Sequence, residues 1–197
     1  YKLPGEFILY LGNLKLHKNF KGVVESYNEA CKTASHLPPL VVIGNDTNLF
    51  HEFPDLKKTL AEPELKKRII FTGSLPTRDL PAIYSRASVF LFPSFYEGFG
   101  LTVLEAMACG TPVITSNTSA LPEIVDGAAK LVNPHDTSEI AAAILELSSN
   151  KDAQNFYIQK GFQHIEHYSW EKSAKDHLDL YSKLLLQEDR SKPVIST

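Results

Sequence analysis

The chain has 197 residues, 43% hydrophobic and 22% charged, which is ordinary for a globular protein and long enough for one large α/β domain with a substantial core. Twenty Lys and Arg against 23 Asp and Glu leave a formal net charge of -3, so no basic field favours nucleic acid, no charge run reads as an interaction tail, and any anion site must be local. The two cysteines, Cys31 and Cys109, make neither a disulfide framework nor a zinc pattern and fit a reducing cytosol, and no apolar stretch approaches the ~18 residues that span a membrane.

In chain order, Tyr1-Lys2-Leu3-Pro4-Gly5 is no signal peptide; without an initiator Met it leads at once into a strand, as an excised domain would. That strand is 7–11 (FILYL). Residues 19–35 read as a helix, with Val23, Val24, Tyr27, Ala30 and Cys31 at helical spacing and Asn19 as its cap. Residues 40–43 (LVVI) form a second strand closed by Gly44, 55–62 a helix, 68–71 (RIIF) a third strand ended by Thr72-Gly73, and 80–87 a short helix. The fourth strand is 89–92 (VFLF), followed by a helix over 101–108; the fifth is 113–115, opened by Thr111-Pro112; Leu131-Val132 makes a short sixth. Residues 137–148 read as a helix with Thr137 as cap and Glu139 in its first turn. From 151 to about 186 the pattern is helical only; the domain is expected over 1–188, with 189–197 a frayed tail.

Short, fully apolar strands between helices argue for a parallel sheet covered on both faces, a doubly wound, Rossmann-like α/β fold. Ligands bind such sheets at the carboxyl ends of the strands. The loops there are 12–18, 44–46, 73–75 and 94–100.

The densest chemistry lies in 92–107, FPSFYEGFGLTVLEAM. A strand runs into a loop with Glu97, Gly98 and Gly100, then into the N-terminus of a helix, and Glu105 follows Glu97 by eight positions. The free N–H groups of a first helical turn and the helix dipole favour an anion there. Two flanking acids are odd for bare phosphate but suit a ligand that also carries hydroxyls, such as a diphosphate with a sugar at each end. Taken singly, each residue also has a plainer reading. Gly98 and Gly100 fit a tight turn, Glu97 a carboxylate drawn to the helix dipole, and Glu105 a solvent-facing helical residue. Lys18 faces the unfavourable end of the dipole of the helix that follows it, which an intervening anion would relieve and a flexible surface lysine would tolerate. His17 beside it reads as a surface or packing residue rather than a catalyst. Asp46 has no second acid at ligand spacing, so no metal site is expected. There is no Walker loop, nucleophile elbow or HExxH, and no GxGxxG follows the first strand, which disfavours a nicotinamide dehydrogenase.

At these residues the sequence resembles a family. The run FPSFYEGFGLTVLEAMACGTPVITSNTSALPEIV is similar to the donor-binding, C-terminal domain of retaining GT-B glycosyltransferases, the group that includes many bacterial mannosyl- and glucosyltransferases. YLGNLKLHKNFKGVV resembles its first strand and loop, RIIFTGSLPTRDLPAIYSRASVFLFPS its middle section, and YSWEKSAKDHLDLY its closing helices, so the likeness runs from about Phe7 to Leu184. Two places depart from it. Asn13 follows Gly12 where many relatives carry arginine, so Lys18 would bear more of the charge, and Gly44-Asn45-Asp46 does not keep the glycine-rich turn of many members.

The resemblance implies transfer of a hexose from a nucleoside-diphosphate sugar to an acceptor hydroxyl of a glycan or glycolipid, without metal or other cofactor, by front-face attack in which the departing phosphate oxygen accepts the acceptor's proton. Lys18 would bind the diphosphate with Gly12 and Asn13 beside it; the amides of Phe99, Gly100, Leu101 and Thr102, with Gly98, would hold phosphate and sugar hydroxyls; Glu97 would contact the transferred sugar; Glu105 would accept the ribose hydroxyls; and backbone from Gly73 to Leu75 would read the base. Lys18 and Glu97 are the catalytic candidates. GDP-mannose and UDP-glucose are the donors to test first. The acceptor would sit on an N-terminal domain that this chain does not match, as would any peripheral membrane contact, and the expected location is cytoplasmic. Two other classes remain: a non-catalytic nucleotide-binding or regulatory module of this fold, disfavoured by the paired glutamates, and an NDP-sugar epimerase, disfavoured by EGFGL.

Overall fold

Six parallel strands lie in the order β3-β2-β1-β4-β5-β6 in a computed structural model that describes residues 1–45, 47 and 49–191. The strands are β1 (Phe7–Leu11), β2 (Leu40–Ile43), β3 (Ile69–Gly73), β4 (Ala87–Phe92), β5 (Val113–Ser116) and β6 (Lys130–Val132). The chain steps outward from β1 to β3, returns to the middle, and steps outward again from β4 to β6. Strands β1 and β4 are therefore neighbours whose following connections leave in opposite directions, and the carboxyl ends of that pair form the switch-point crevice of a doubly wound sheet.

The helices are α1 (Phe20–Thr33), α2 (Leu49–Glu52), α3 (Leu56–Ala61), α4 (Pro63–Arg68), α5 (Leu80–Tyr84), α6 (Leu101–Ala108), α7 (Leu121–Val125), α8 (Thr137–Ser149), α9 (Lys151–Ile165) and α10 (Trp170–Ser191). Alternate strand residues feed two cores. On one face Ile8, Tyr10, Leu40, Val42, Val89 and Leu91 pack with Val23, Val24 and Tyr27 of α1 and Ile140 and Ile144 of α8. Helices α5, α6 and α7 rest on β4 and β5. Each fully buried Leu, Ile, Val or Phe contributes roughly 1.5–3 kcal/mol, so the strands are held mainly by what covers them. The strand ends abut closely: a Cβ on Gly44 would stand 2.1 Å from the carbonyl oxygen of Gly12, which only glycine permits. The chain divides into two compact units, Tyr1–His164 and a second beginning at Ile165. In the second, α10 exposes Leu178, Tyr181 and Leu185 at helical spacing.

Several boundaries differ from the sequence expectation. The helix expected over 55–62 is α3, but it is flanked by two short helices that were not expected, α2 before it and α4 after it; Pro63 cannot continue α3 and instead opens α4. Strand β3 runs through Gly73, whose carbonyl accepts from the Gly44 amide and so lengthens the ladder. Ala87 begins β4 rather than ending a helix. The cap of α8 is Asp136, whose carboxylate accepts from the amides of Ser138 and Glu139, and Thr137 is the first helical residue. Helix α7 is too short to leave a periodic signal in the sequence. Asp46 and residues 192–197 of the expected tail lie outside the described residues. Among the described residues no helix is long and apolar enough to cross a membrane, and no group of three or more His, Cys, Asp or Glu could hold a metal ion.

Candidate functional site

The loop after β1 and the loop after β4 meet at the switch point. Lys18 closes a single 3-10 turn (Leu16–Lys18), and its ammonium lies 2.6 and 2.9 Å from the two carboxylate oxygens of Glu97. Both side chains are largely covered, 19% and 12% exposed, and the Lys18 ammonium also stands 5.2 Å above the ring of Phe92 at the end of β4. Removing either charge strands the other in a poorly solvated place. Beneath the pair, the hydroxyl of Tyr10 reaches toward the Lys18 carbonyl at 3.5 Å. Burial, and then the charge of Glu97, push the Tyr10 phenol well above its ordinary range, so it stays a neutral donor.

Neighbouring strands hold the Glu97 loop in place. The amide of Phe95 and the hydroxyl of Ser94 both donate to the His17 carbonyl, at 2.9 and 2.8 Å. From the far side, the hydroxyls of Ser116 and Thr118 donate to the carbonyls of Ser94 and Phe95, and the Glu97 amide donates to the Ser119 hydroxyl at 3.0 Å. Spacing could not have found Ser116, Thr118 and Ser119, because they come from the next strand and the loop after it and act through hydroxyls common in any loop.

The loop then enters α6. Gly100 is its cap residue, with φ 110°, and makes no side-chain cap bond. A β-carbon there would be strained by the left-handed backbone and would lie 2.8 Å from Leu121. The amides of Leu101 and Thr102 have no acceptor within the helix, since the first intrahelical acceptor is the Gly100 carbonyl, taken by Val103. Gly98 has no left-handed φ, and a Cβ there would meet open space. The two glycines are thus unlike: protein geometry requires one, and the other is bare toward solvent. Phe99 is 42% exposed.

Glu105 sits one turn along α6, exposed, and accepts a 3.1 Å hydrogen bond from the hydroxyl of Tyr84 on α5. Tyr84 is otherwise buried, and burial first, then Glu105, raises its phenol far above the ordinary value. The structure therefore joins Lys18 to Glu97 and gives Glu105 a partner that sequence reading missed. Gly12 and the exposed Asn13 lie at the end of β1; the Gly12 amide donates to the Ile43 carbonyl, and the Asn13 carbonyl accepts from Lys15. Gly73 and the half-buried Leu75 lie at the end of edge strand β3, with β2 and β1 between them and β4. His17 contributes its carbonyl; its side chain is exposed. Asn19 caps α1 as expected, with its side-chain oxygen accepting from the Gly22 amide at 3.2 Å.

Residues 2–164 match the family described as "Glycosyl transferases group 1". The chain is 32% identical over 180 residues to the O-antigen chain mannosyltransferase B of Escherichia coli, covering 90% of this chain and 46% of that protein. Among solved structures it is similar to sucrose-phosphate synthase from Thermosynechococcus elongatus, with 29% identity, a TM-score of 0.79, and coverage of 94% of this chain and 47% of that one. It is also similar to the C-terminal domain of a glycosyl transferase group 1 family protein from Francisella tularensis, with 28% identity, a TM-score of 0.72, and coverage of 84% and 87%. The chain thus spans about half the length of the mannosyltransferase and of the synthase.

Proposed function

The chain belongs to the glycosyl transferases group 1 family, and from its site we propose that it is the donor-binding half of a retaining, metal-independent hexosyltransferase that uses a nucleoside-diphosphate sugar. The observation that carries this reading is the pairing of Lys18 with Glu97 across the switch point, at the loop leading to the uncapped N-terminus of α6. That pairing supports a site made of one cation, one carboxylate and the amides that open α6.

In this reading the amides of Leu101 and Thr102 and the Lys18 ammonium receive the diphosphate. Breaking the bond between the sugar's anomeric carbon and the phosphate oxygen leaves negative charge on that oxygen. Fixed amides and a cation stabilise such charge without reorganising, and this stabilisation supplies most of the rate enhancement expected of the site. Glu97, released from Lys18, accepts hydrogen bonds from the transferred sugar. Glu105, oriented by Tyr84, accepts them from the ribose. The new glycosidic bond forms on the same face, and the acceptor's proton passes to the departing phosphate oxygen, so this half supplies no general base. The likeness to a protein named a mannosyltransferase supports a mannosyl donor, with GDP-mannose first and UDP-glucose second. The acceptor belongs to the part of the relatives that this chain does not span.

The test is calorimetric titration of the purified protein with GDP-, UDP- and ADP-sugars, repeated for Lys18→Ala and Glu105→Ala. One donor should bind, and each variant should weaken it with the fold intact by circular dichroism. Unchanged affinity in both variants would refute the site.

A further inference from the structure

Lys18 meets Glu97 across two loops that belong to different βα units, and alongside the bonds to the His17 carbonyl one buried side-chain amide ties those loops to each other and to a third. Asn19 is 3% exposed and has φ 54°, a left-handed conformation that asparagine tolerates better than most residues. Its side-chain oxygen caps α1 through Gly22. Its side-chain nitrogen spends both hydrogens outside the helix: one on the Pro93 carbonyl at 2.9 Å, the other on the Pro134 carbonyl at 2.7 Å. Pro93 opens the Glu97 loop, and Pro134 lies between β6 and α8. One side chain therefore fastens the carboxyl-end loops of β1, β4 and β6.

Asn19 could have capped α1 without these bonds, since a cap needs only the oxygen. The fold also makes room for it: a Cβ on Gly22 would lie 2.4 Å from the Asn19 oxygen and 2.8 Å from its nitrogen. Lys18 is bracketed in sequence by two fastened residues. His17 holds Ser94 and Phe95 through its carbonyl, and Asn19 holds Pro93 through its amide.

We infer that Asn19 is a positioning residue: it sets the reach of Lys18 toward Glu97 and the diphosphate by locking the loops after β1, β4 and β6 in one arrangement. The diphosphate part of this rests on the donor-site reading above; the part concerning Glu97 does not.

Asn19→Gly is the gentle probe, since glycine keeps the left-handed backbone and costs a helix cap little. Asn19→Asp is the second, keeping the cap oxygen while replacing both N–H donors with an acceptor. Each is made in the full protein and titrated with nucleoside diphosphate and with the bare nucleoside. Asn19→Gly should weaken the diphosphate about tenfold, the scale of losing a buried hydrogen bond to the loop, and leave the nucleoside unchanged. Added to Lys18→Ala, it should weaken the diphosphate no further. A loss that simply adds to that of Lys18→Ala, or no loss in either variant, would overturn the inference. A ligand-free arm separates this from the donor-site reading: the Lys18–Glu97 coupling, from a Lys18→Ala and Glu97→Gln double-mutant cycle in urea unfolding, should be present with Asn19 and vanish in Asn19→Gly. If no diphosphate binds, the donor-site reading fails, and coupling that survives in Asn19→Gly would then defeat this inference on its own.

Discussion

The ammonium of Lys18 is held by both carboxylate oxygens of Glu97, at 2.6 and 2.9 Å. In the proposed donor site, the cation meant for phosphate is thus already claimed by the carboxylate meant for sugar. Two anions compete for one charge, and a ligand that brings both phosphate and hydroxyls can satisfy both partners at once. Bare nucleoside diphosphate should therefore bind Glu97→Gln more tightly than wild type, by about fivefold, because no carboxylate must be displaced. The intact donor sugar should not share that gain. Parallel calorimetric titrations check this, and equal affinities for bare diphosphate in the two proteins would show that the ion pair does not compete.

Gly98 and Gly100 should part company under substitution. Gly100→Ala puts a side chain on a left-handed backbone against Leu121 and should cost about 1–3 kcal/mol in urea unfolding. Gly98→Ala meets open space and should change stability by less than about 0.5 kcal/mol. Its loss should appear instead in donor binding, where a methyl group stands between ligand and loop.

Tyr84 should matter through Glu105. Tyr84→Phe removes the hydroxyl that donates to Glu105 and should cost about 1 kcal/mol of stability. Donor affinity should fall by less than in Glu105→Ala. In the double variant, affinity should match Glu105→Ala alone, because the Tyr84 hydroxyl then has no carboxylate to orient. Additive losses would assign Tyr84 a direct role.

Three tyrosines should resist titration until the protein unfolds. Burial raises the phenols of Tyr10, Tyr27 and Tyr84 well above the ordinary value of about 10. In the folded state they keep protons that the unfolded chain releases. Stability from this source is complete below about pH 10 and is lost as pH rises beyond it. Tyrosinate absorbance should show these three of the eight tyrosines ionising together with unfolding rather than before it.

Much was legible in one dimension because it is local. The strands FILYL, LVVI and VFLF are short apolar runs between helical patterns, and such runs are stable only inside a covered parallel sheet. Lys18, Glu97 and Glu105 stood out because their neighbours, a strand end, glycines and a helix start, have the backbone pattern that favours an anion. Helix edges were less legible. The six-residue α4 that Pro63 opens is too short to leave a periodic signal, and Asp136 outcompetes Thr137 as a cap because its carboxylate reaches two amides.

Residue types and their spacing thus settled the class of sheet and singled out the candidate loops and charged groups. The folded chain alone decided who touches whom: that Lys18 meets Glu97, 79 residues away, that Tyr84 serves Glu105, and that Asn19 binds the carbonyls of Pro93 and Pro134. Spacing along a chain encodes the periodic burial of helices and strands, which is a nearest-neighbour property. Hydrogen bonds between loops depend on strand order, and strand order follows from how all the helices share two faces of one sheet.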